Sequence, residues 1–179
     1  MKIFLRQSNI LDIPADVLVC SANVSLNLTG GVGADIIARY GTEMQEELHL
    51  MLAGRTPKCA QPGEVFMCRT MGLPYLAVLH AVAVDPFYHS SPTVVTQVVR
   101  RALTMAAGLG ARRVALTALA SGFGDLTLQD FADGVRPLLN EDFSPVEEIV
   151  IPQIEEYRFK ELCEAFPEGV VWLVDGMNH

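Results

Sequence analysis

Residues 16–41 read DVLVCSANVSLNLTGGVGADIIARYG, and this stretch decides the fold. A short apolar run from Val17 to Cys20 predicts a buried strand, which delivers Asn23 to its C-terminal end. A polar loop then leads to a glycine turn, TGGVG at residues 29–33, and a helical pattern starts at Ala34. Such a turn brings backbone N–H groups to the helix N-terminus, where the dipole favours an anion such as phosphate. We therefore expect the ligand site here.

The same glycines also fit less specific interpretations. Many α/β turns carry glycines and bind nothing, and that alternative stays open for this segment taken alone. The dinucleotide-binding fingerprint fits poorly, because Ile36 stands where its third glycine is needed for close packing of helix on strand. The sequence has no Gly-Lys-Ser/Thr, so a P-loop that hydrolyses nucleoside triphosphates is not predicted.

Length and composition favour one globular domain. The chain has 179 residues, half of them apolar, which is enough for one core. We expect the domain to span residues 1–175, with a short tail at 176–179. No apolar run approaches the roughly 18 residues of a membrane helix, and the first residues become polar too soon for a signal peptide. The sequence therefore predicts a cytoplasmic protein that does not enter a membrane.

Charge and metal-ligating residues exclude several classes of site. The 13 basic and 21 acidic residues give a net charge of −8, which disfavours nucleic-acid binding but not one small diphosphate held by backbone amides. The four cysteines lack metal-site spacing, and Cys20 and Cys68 lie in apolar runs, so they are interpreted as buried thiols. His80, in another apolar run, is interpreted as a core histidine with its hydrogen bonds satisfied. No metal and no cofactor are predicted.

Strands and helices alternate along the chain, which predicts a mainly parallel sheet covered on both faces. Strands are expected at residues 2–7, 16–21, 64–69, 75–84, 113–119, 148–151 and 170–174. Helices are expected at 33–40, 42–52, 91–109, 127–140 and 155–166. A second loop of small residues, ASGFGD at 120–125, follows the fifth strand. If that strand neighbours the one before Asn23, two walls of backbone amides face each other across a crevice.

With these elements in this order, the chain resembles the macro domains, a family that binds ADP-ribose and its derivatives. The resemblance covers nearly the whole length and rests on five weak motifs in the right order. They are Ser8-Asn9-Ile10, Asp16 to Asn23, Thr29-Gly30-Gly31-Val32, the mid-chain segments Gly63-Glu64-Val65 and His80 to Val84, and Ala118 to Gly124. The resemblance implies a three-layer α/β/α sandwich around a mixed, mainly parallel sheet of six or seven strands.

The resemblance also implies roles for individual residues. Asn9 and the backbone of Ile10 would contact adenine, and Asn23 would bind the distal ribose. The two loops would flank the diphosphate and that ribose. The implied ligand-binding set is Asn9, Ile10, Ala22, Asn23, Gly30, Gly31, Val32, Ala120, Ser121, Gly122, Phe123 and Gly124. Phe123 is expected to cover a sugar, and the alternative is a ring folded back into the core.

Four departures from the family pattern affect the site. The adenine-contacting Asp of the family is Asn9 here, and Pro152 and Ile154 would replace an aromatic platform for the base. The acid that one hydrolytic branch carries ten residues after the ribose-binding Asn is replaced by Gly33, and the His of other members by Leu28. Asp35 and Asp125 would be substitute bases, or else carboxylates of a helix first turn. Asn23 and Asp35 are the candidate catalytic residues.

The resemblance and these departures suggest three functions. The first is binding of ADP-ribose, free or attached to protein. The second is hydrolysis at the distal ribose, removing an acetyl group, a phosphate or an ADP-ribosyl group, for which a water must be oriented. The third, a scaffold for nucleic acid or poly(ADP-ribose), is disfavoured by the net charge of −8. Binding leads, with mono-ADP-ribosylated proteins as potential partners.

Overall fold

A computed structural model describes residues 1–172, which form a seven-stranded sheet with five α-helices. The strands are β1 (Lys2–Gln7), β2 (Val17–Ala22), β3 (Val65–Cys68), β4 (Ala77–Val82), β5 (Arg113–Leu116), β6 (Glu148–Gln153) and β7 (Val170–Val171). The helices are α1 (Gly31–Tyr40), α2 (Glu43–Ala53), α3 (Pro92–Gly108), α4 (Leu128–Val135) and α5 (Glu156–Ala165).

The strand order across the sheet is β3-β4-β2-β5-β6-β1-β7. All neighbouring strands run parallel except β3, an edge strand that is antiparallel to β4. The sheet is therefore mixed and mainly parallel, as predicted. Because β2 pairs with β5, the two loops of small residues leave the same edge of the sheet side by side. This adjacency was the condition on which the predicted crevice depended.

Helices cover both faces of the sheet, and the burial of β2 shows why its sequence is a continuous apolar run. Its four residues from 17 to 20 are all buried. Val17 and Val19 pack in one core with α3, α4 and α5, whereas Leu18 and Cys20 pack in a second core with α1 and α2. Successive side chains of a strand point to opposite faces, so a strand covered on both sides must be apolar throughout. The result is a three-layer α/β/α sandwich.

Helix α3 begins where its capping residues predict. The hydroxyl of Ser91 accepts a hydrogen bond from the backbone N–H of Val94, at 3.3 Å, and Pro92 occupies the first helical position. Helix α4 starts after Thr127, as expected, but ends at Val135 and continues only as a 3-10 helix to Asn140. Pro137 has no N–H to donate to the preceding turn, which accounts for this change.

The C-terminal part of the fold is only partly described. The predicted last strand, 170–174, is observed as Val170–Val171; Trp172 is not part of the strand, and residues 173 and 174 lie outside the described residues. The predicted boundary between the domain and a tail at 176–179 also lies there and stays a prediction. No helix within residues 1–172 is both long enough and apolar enough to cross a membrane.

Candidate functional site: a crevice between two glycine loops

A crevice of about 840 Å³ lies at the carboxyl ends of the central strands. The residues that form it follow β1, β2, β5 and β6, and the first turn of α1 contributes one wall. All twelve residues predicted to bind a ligand line this crevice, as does Asp35, whereas Asp125 does not. The sequence therefore predicted which residues come together. Their contact with a ligand stays a prediction.

The side chain of Asn23 organises the loop that follows β2. Its Oδ1 accepts hydrogen bonds from the backbone N–H groups of Ser25, at 3.0 Å, and Asn27, at 3.2 Å. Its Nδ2 donates to the carbonyl of Asn27 at 3.3 Å. An amide oxygen has two acceptor sites and an amide nitrogen two donors, so one N–H of Asn23 is left for a ligand. In this conformation Asn23 can donate to a sugar oxygen but cannot also accept from one.

The first glycine loop ends at the N-terminus of α1. Gly30 is its N-cap and has an extended backbone, whereas Gly31 has a φ of 51°, which favours glycine. Gly30 has no side chain with which to cap this helix, so the first N–H groups of α1 border the crevice without an acceptor from the N-cap residue. These donors and the positive end of the helix dipole suit an anion.

The second loop, residues 120–125, is held in a tight conformation. Ala120 adopts a φ of 59°, unusual for a residue with a side chain, and its carbonyl accepts from the N–H of Leu126 at 3.2 Å. A Cβ on Gly124 would collide with the backbone of Ala120, so glycine is required there by close approach. Strained residues of this kind are typical of functional loops whose shape is fixed by their surroundings.

Phe123 joins the two loops. Phe123 is 77% exposed, so the alternative of a ring folded into the core is wrong. A Cβ added to Gly30 would lie 2.6 Å from Cε2 and 2.8 Å from Cζ of this ring. The aromatic side chain of the second loop therefore rests directly on the glycine of the first. This contact shows that the two loops face each other across a narrow gap.

Asn9 and Asp35 form a second link, at the end of the crevice above β1. Asn9 caps a short 3-10 helix, Ile10–Asp12, with its Oδ1 accepting from the N–H of Leu11 at 2.9 Å. Its Nδ2 donates to Oδ2 of Asp35 at 2.8 Å. The hydrogen bond from Leu11 uses one of the two acceptor sites of Oδ1, so contact of Asn9 with a base stays a prediction. The carboxylate that Asn9 contacts in the crevice is that of Asp35.

Asp125 holds a different loop. Its Oδ2 lies 2.9 Å from Nδ1 of His89, and its Oδ1 accepts from the N–H of Ser90 at 3.0 Å. The hydrogen bond with His89 lowers the pKa of Asp125 and raises the pKa of His89. Both side chains are exposed at the surface, beside rather than within the crevice. Asp125 thus fastens the second loop to the loop before α3.

The replacement of the family's acid by Gly33 has a packing explanation. A Cβ at Gly33 would lie 2.8 Å from the Cα of Leu28 and 3.2 Å from its carbonyl carbon. The φ of Gly33 is not positive, so backbone conformation is not the obstacle. Leu28 is itself buried, and its N–H donates to Oε1 of Gln45 at 2.6 Å. The loop therefore packs too closely on α1 for a side chain to fit at position 33.

Arg158 and Tyr157 are among the crevice-lining residues that the sequence analysis missed. Arg158 donates from Nη2 to the carbonyl of Ser121 at 2.7 Å and so supports the second loop from α5. Tyr157, in the first turn of α5, is 64% exposed and adds an aromatic ring near Ile154 in the chain. Its place just after β6 was the signal that could have found it, since helix first turns border such crevices.

The buried histidine and cysteines lie away from the crevice. Cys20 and Cys68 are buried as predicted, and burial raises the pKa of both thiols, that of Cys68 to about 12. His80 is fully buried with Nε2 3.3 Å from Sδ of Met44, but Nδ1 has no hydrogen-bond partner among residues 1–172, so it is not a satisfied core histidine. The same residues contain no cluster of three or more metal-ligating side chains.

Comparison with known proteins identifies the family. A family model of the macro domain matches residues 19–134, about two thirds of the chain. The chain belongs to the macro domain family. This macro domain is similar to the "Macro domain-containing protein in non 5'region" of Streptomyces griseus, with 29% identity over 164 residues, 89% of this chain and 92% of that protein.

Two further relatives extend the comparison. Human protein mono-ADP-ribosyltransferase PARP14 is 25% identical over 179 residues, and the match covers 94% of this chain but only 10% of the human protein. The crystal structure of the Trypanosoma brucei macrodomain in complex with ADP-ribose superposes with a TM-score of 0.73 at 23% identity, covering 90% of this chain and 68% of that one. At 23% identity, this structural similarity shows that the two proteins share a fold.

Proposed function

We propose that this macro domain binds ADP-ribose, or a derivative of it, in the crevice between the two glycine loops. The observation that carries the proposal is the contact between Phe123 and Gly30, which puts the amide-rich walls of both loops on opposite sides of one gap. Backbone N–H groups bind phosphate without a cation. A diphosphate can therefore be held by this acidic chain, whose net charge is −8.

The ends of the crevice differ in chemistry, which supports one orientation of the ligand. At the β2 end, one N–H of Asn23 is free to donate to a hydroxyl of the distal ribose. At the β1 and β6 end, the exposed side chains of Ile154 and Tyr157 offer apolar area for a base. Adenine would then lie near Ile10, with the diphosphate between the loops.

Protein-attached ADP-ribose is included in the proposal. The crevice is open at the surface, with Phe123 77% exposed at its rim, so a group attached to the distal ribose would have a route to solvent. The name of the human relative, a protein mono-ADP-ribosyltransferase, is consistent with ADP-ribosylated proteins as partners. A cytoplasmic location stays a prediction from the sequence.

Hydrolysis at the distal ribose receives less support from the contacts found. The carboxylate of Asp35 is hydrogen bonded to Asn9, at the end of the crevice assigned to the base, and that of Asp125 to His89 outside it. Position 33 has no room for an acid. Loss of a positioned acid or base typically costs a factor of about 10² to 10⁴ in rate. We therefore propose a binding module with slow hydrolysis at most.

Calorimetric titration tests the proposal directly. ADP-ribose is expected to bind more tightly than ADP in the same buffer, because only ADP-ribose reaches Asn23. The variant Asn23→Ala removes the hydrogen-bonding group, so it should narrow the difference in affinity between ADP-ribose and ADP. Because it also removes the acceptor for the amides of Ser25 and Asn27, the affinity for ADP is the control for an intact loop. Equal affinity of the wild type for both would remove the assigned role of Asn23. Failure to bind either would overturn the proposed function.

A further inference from the structure

The Asp35 carboxylate is the feature of the crevice that diphosphate binding does not explain. It lines the crevice and is half-buried, yet a carboxylate repels a diphosphate and contributes nothing to holding one. Its Oδ2 accepts from Asn9, and no hydrogen bond to its Oδ1 is found among residues 1–172. A negative acceptor with an open oxygen calls for a ligand group that is neutral and carries N–H or O–H donors.

The place of Asp35 in the fold indicates which part of the ligand it meets. Asp35 lies one turn into α1 and reaches Asn9, which follows β1. β1 pairs with β6, and the N–H of Ser8 donates to the carbonyl of Gln153 at 3.0 Å, so this end of the crevice also contains Gln153 and Ile154. It is the end with exposed apolar side chains, where the proposed function puts the base.

A backbone donor beside the Asp35 acceptor completes a pattern that matches one class of base. The N–H of Ile10 is the first of the short 3-10 helix, and such an N–H has no acceptor within its own helix. A donor beside an acceptor is complementary to the edge of adenine, which presents the acceptor N1 next to the amine N6–H₂. A 6-oxopurine such as hypoxanthine presents the opposite order, a donor at N1 and an acceptor at O6.

We infer that Asp35 reads the exocyclic amine of adenine and that Asn9 is its positioning residue, an inference that rests on the proposed function. The two amide atoms of Asn9 are fixed by different partners. The N–H of Leu11 holds Oδ1, so Nδ2 must point at Asp35 and the Oδ2 of Asp35 must accept from it. Asn9 thereby sets which atom of residue 35 faces the base.

This chain of hydrogen bonds makes an unusual prediction for Asp35→Asn. The oxygen of the new amide should accept from Asn9, as the carboxylate does, which leaves an NH₂ donor facing the base. A donor there opposes the amine of adenine and suits O6 of hypoxanthine. In the double variant Asn9→Asp with Asp35→Asn, the new aspartate accepts from the NH₂ group of residue 35, and the oxygen of residue 35 faces the base again.

The experiment is calorimetric titration with ADP-ribose and with inosine diphosphate ribose, its hypoxanthine counterpart. The wild type should prefer ADP-ribose by about tenfold or more, the effect of one hydrogen bond to a charged group. Asp35→Asn should weaken ADP-ribose binding by a similar factor and abolish or invert the preference. The double variant should restore the preference for ADP-ribose.

A matched control separates hydrogen bonding from charge. Glu155 is an exposed acid that borders the same end of the crevice, and Glu155→Gln removes one negative charge there. It should raise the affinity for both ligands equally, because repulsion of the diphosphate falls. If Asp35→Asn also tightens both ligands, Asp35 acts only through its charge and the inference is overturned.

Two further results would overturn it. Equal weakening of both ligands by Asp35→Asn would mean that Asp35 binds a ribose hydroxyl, and an unchanged preference in that variant would mean that it does not touch the base. These outcomes presuppose that the wild type binds ADP-ribose. Failure of the wild type to bind either ligand would instead overturn the proposed function, and this inference with it. Circular dichroism of each variant verifies that the fold is kept.

Discussion

His80 should make the stability of the fold sensitive to acid, and the magnitude follows from its burial. The side chain is fully buried, and Nδ1 has no hydrogen-bond partner among the described residues. Burial lowers the pKa of His80 from 6.5 to about 4. The unfolded chain therefore takes up this proton near pH 6.5, whereas the folded protein takes it up only near pH 4.

The direction of the effect follows from these two values. Stability that depends on neutral His80 is complete above pH 6.5 and is lost as the pH falls toward 4, because the unfolded state binds more protons in that range. Each pKa unit corresponds to about 1.4 kcal/mol, so the loss reaches about 2 kcal/mol at pH 5 and about 3 kcal/mol at pH 4. A domain of this size has a stability of only about 5–15 kcal/mol.

Urea unfolding of the wild type and His80→Leu between pH 7.5 and 5 measures this contribution. Leucine has a similar volume and does not titrate, so the variant should gain about 2 kcal/mol on the wild type over that interval. Parallel pH curves for the two proteins would refute the reasoning. His89→Gln should show the opposite pH dependence. The hydrogen bond with Asp125 raises the pKa of His89, so protonated His89 stabilises the wild type at low pH and this contribution disappears as the pH rises. The variant should therefore be less stable than the wild type at low pH, and the two should converge as the pH rises.

The remaining predictions concern the loops and a helix cap. Gly30→Glu displaces the ring of Phe123 and sets a carboxylate beside the diphosphate, so calorimetry should show ADP-ribose affinity lowered at least about 100-fold while circular dichroism stays unchanged. Gly33→Asp collides with the backbone of Leu28, and should cost about 1–3 kcal/mol in urea unfolding without raising turnover of mono-ADP-ribosylated carboxylates. Normal stability with fast turnover would contradict this. Thr127→Ala removes a cap and should cost about 1 kcal/mol of unfolding free energy but leave ligand affinity unchanged.

Much of the fold could be predicted because its signals are local. The apolar run of β2 reports burial on both faces, and the Ser91-Pro92 pair marks the start of α3 within a residue. The loops of small residues after β2 and β5 could also be recognised in the sequence. In a mainly parallel sheet the carboxyl ends of the strands lie at the same edge, so these two loops are expected there. For these reasons the two loops that line the crevice could be predicted from the residues, whereas Asn9 and Ile10 were expected there only from the resemblance to the macro domains.

The contacts within the site could not be predicted, because they join residues far apart in the chain. Asn9 and Asp35 are 26 residues apart, and Ser121 and Arg158 are 37 apart. Each pair meets only because a helix docks on the sheet at a particular depth and rotation. Side-chain packing determines that depth and rotation, and the spacing of residues in the sequence does not reveal them. The same applies to Gly33, whose close approach to Leu28 depends on how the loop folds onto α1.

The ring of Phe123 lying on Gly30 has a consequence for the rates of binding and release. A ligand that touches the amides of both loops occupies the gap that this ring spans, so the ring must swing aside and then settle again. Exposed side chains change rotamer within picoseconds to nanoseconds, far faster than molecules meet in solution. The ring is therefore no obstacle to association. Once closed over a bound diphosphate it adds contacts that must break before the ligand leaves, so its effect falls on residence time.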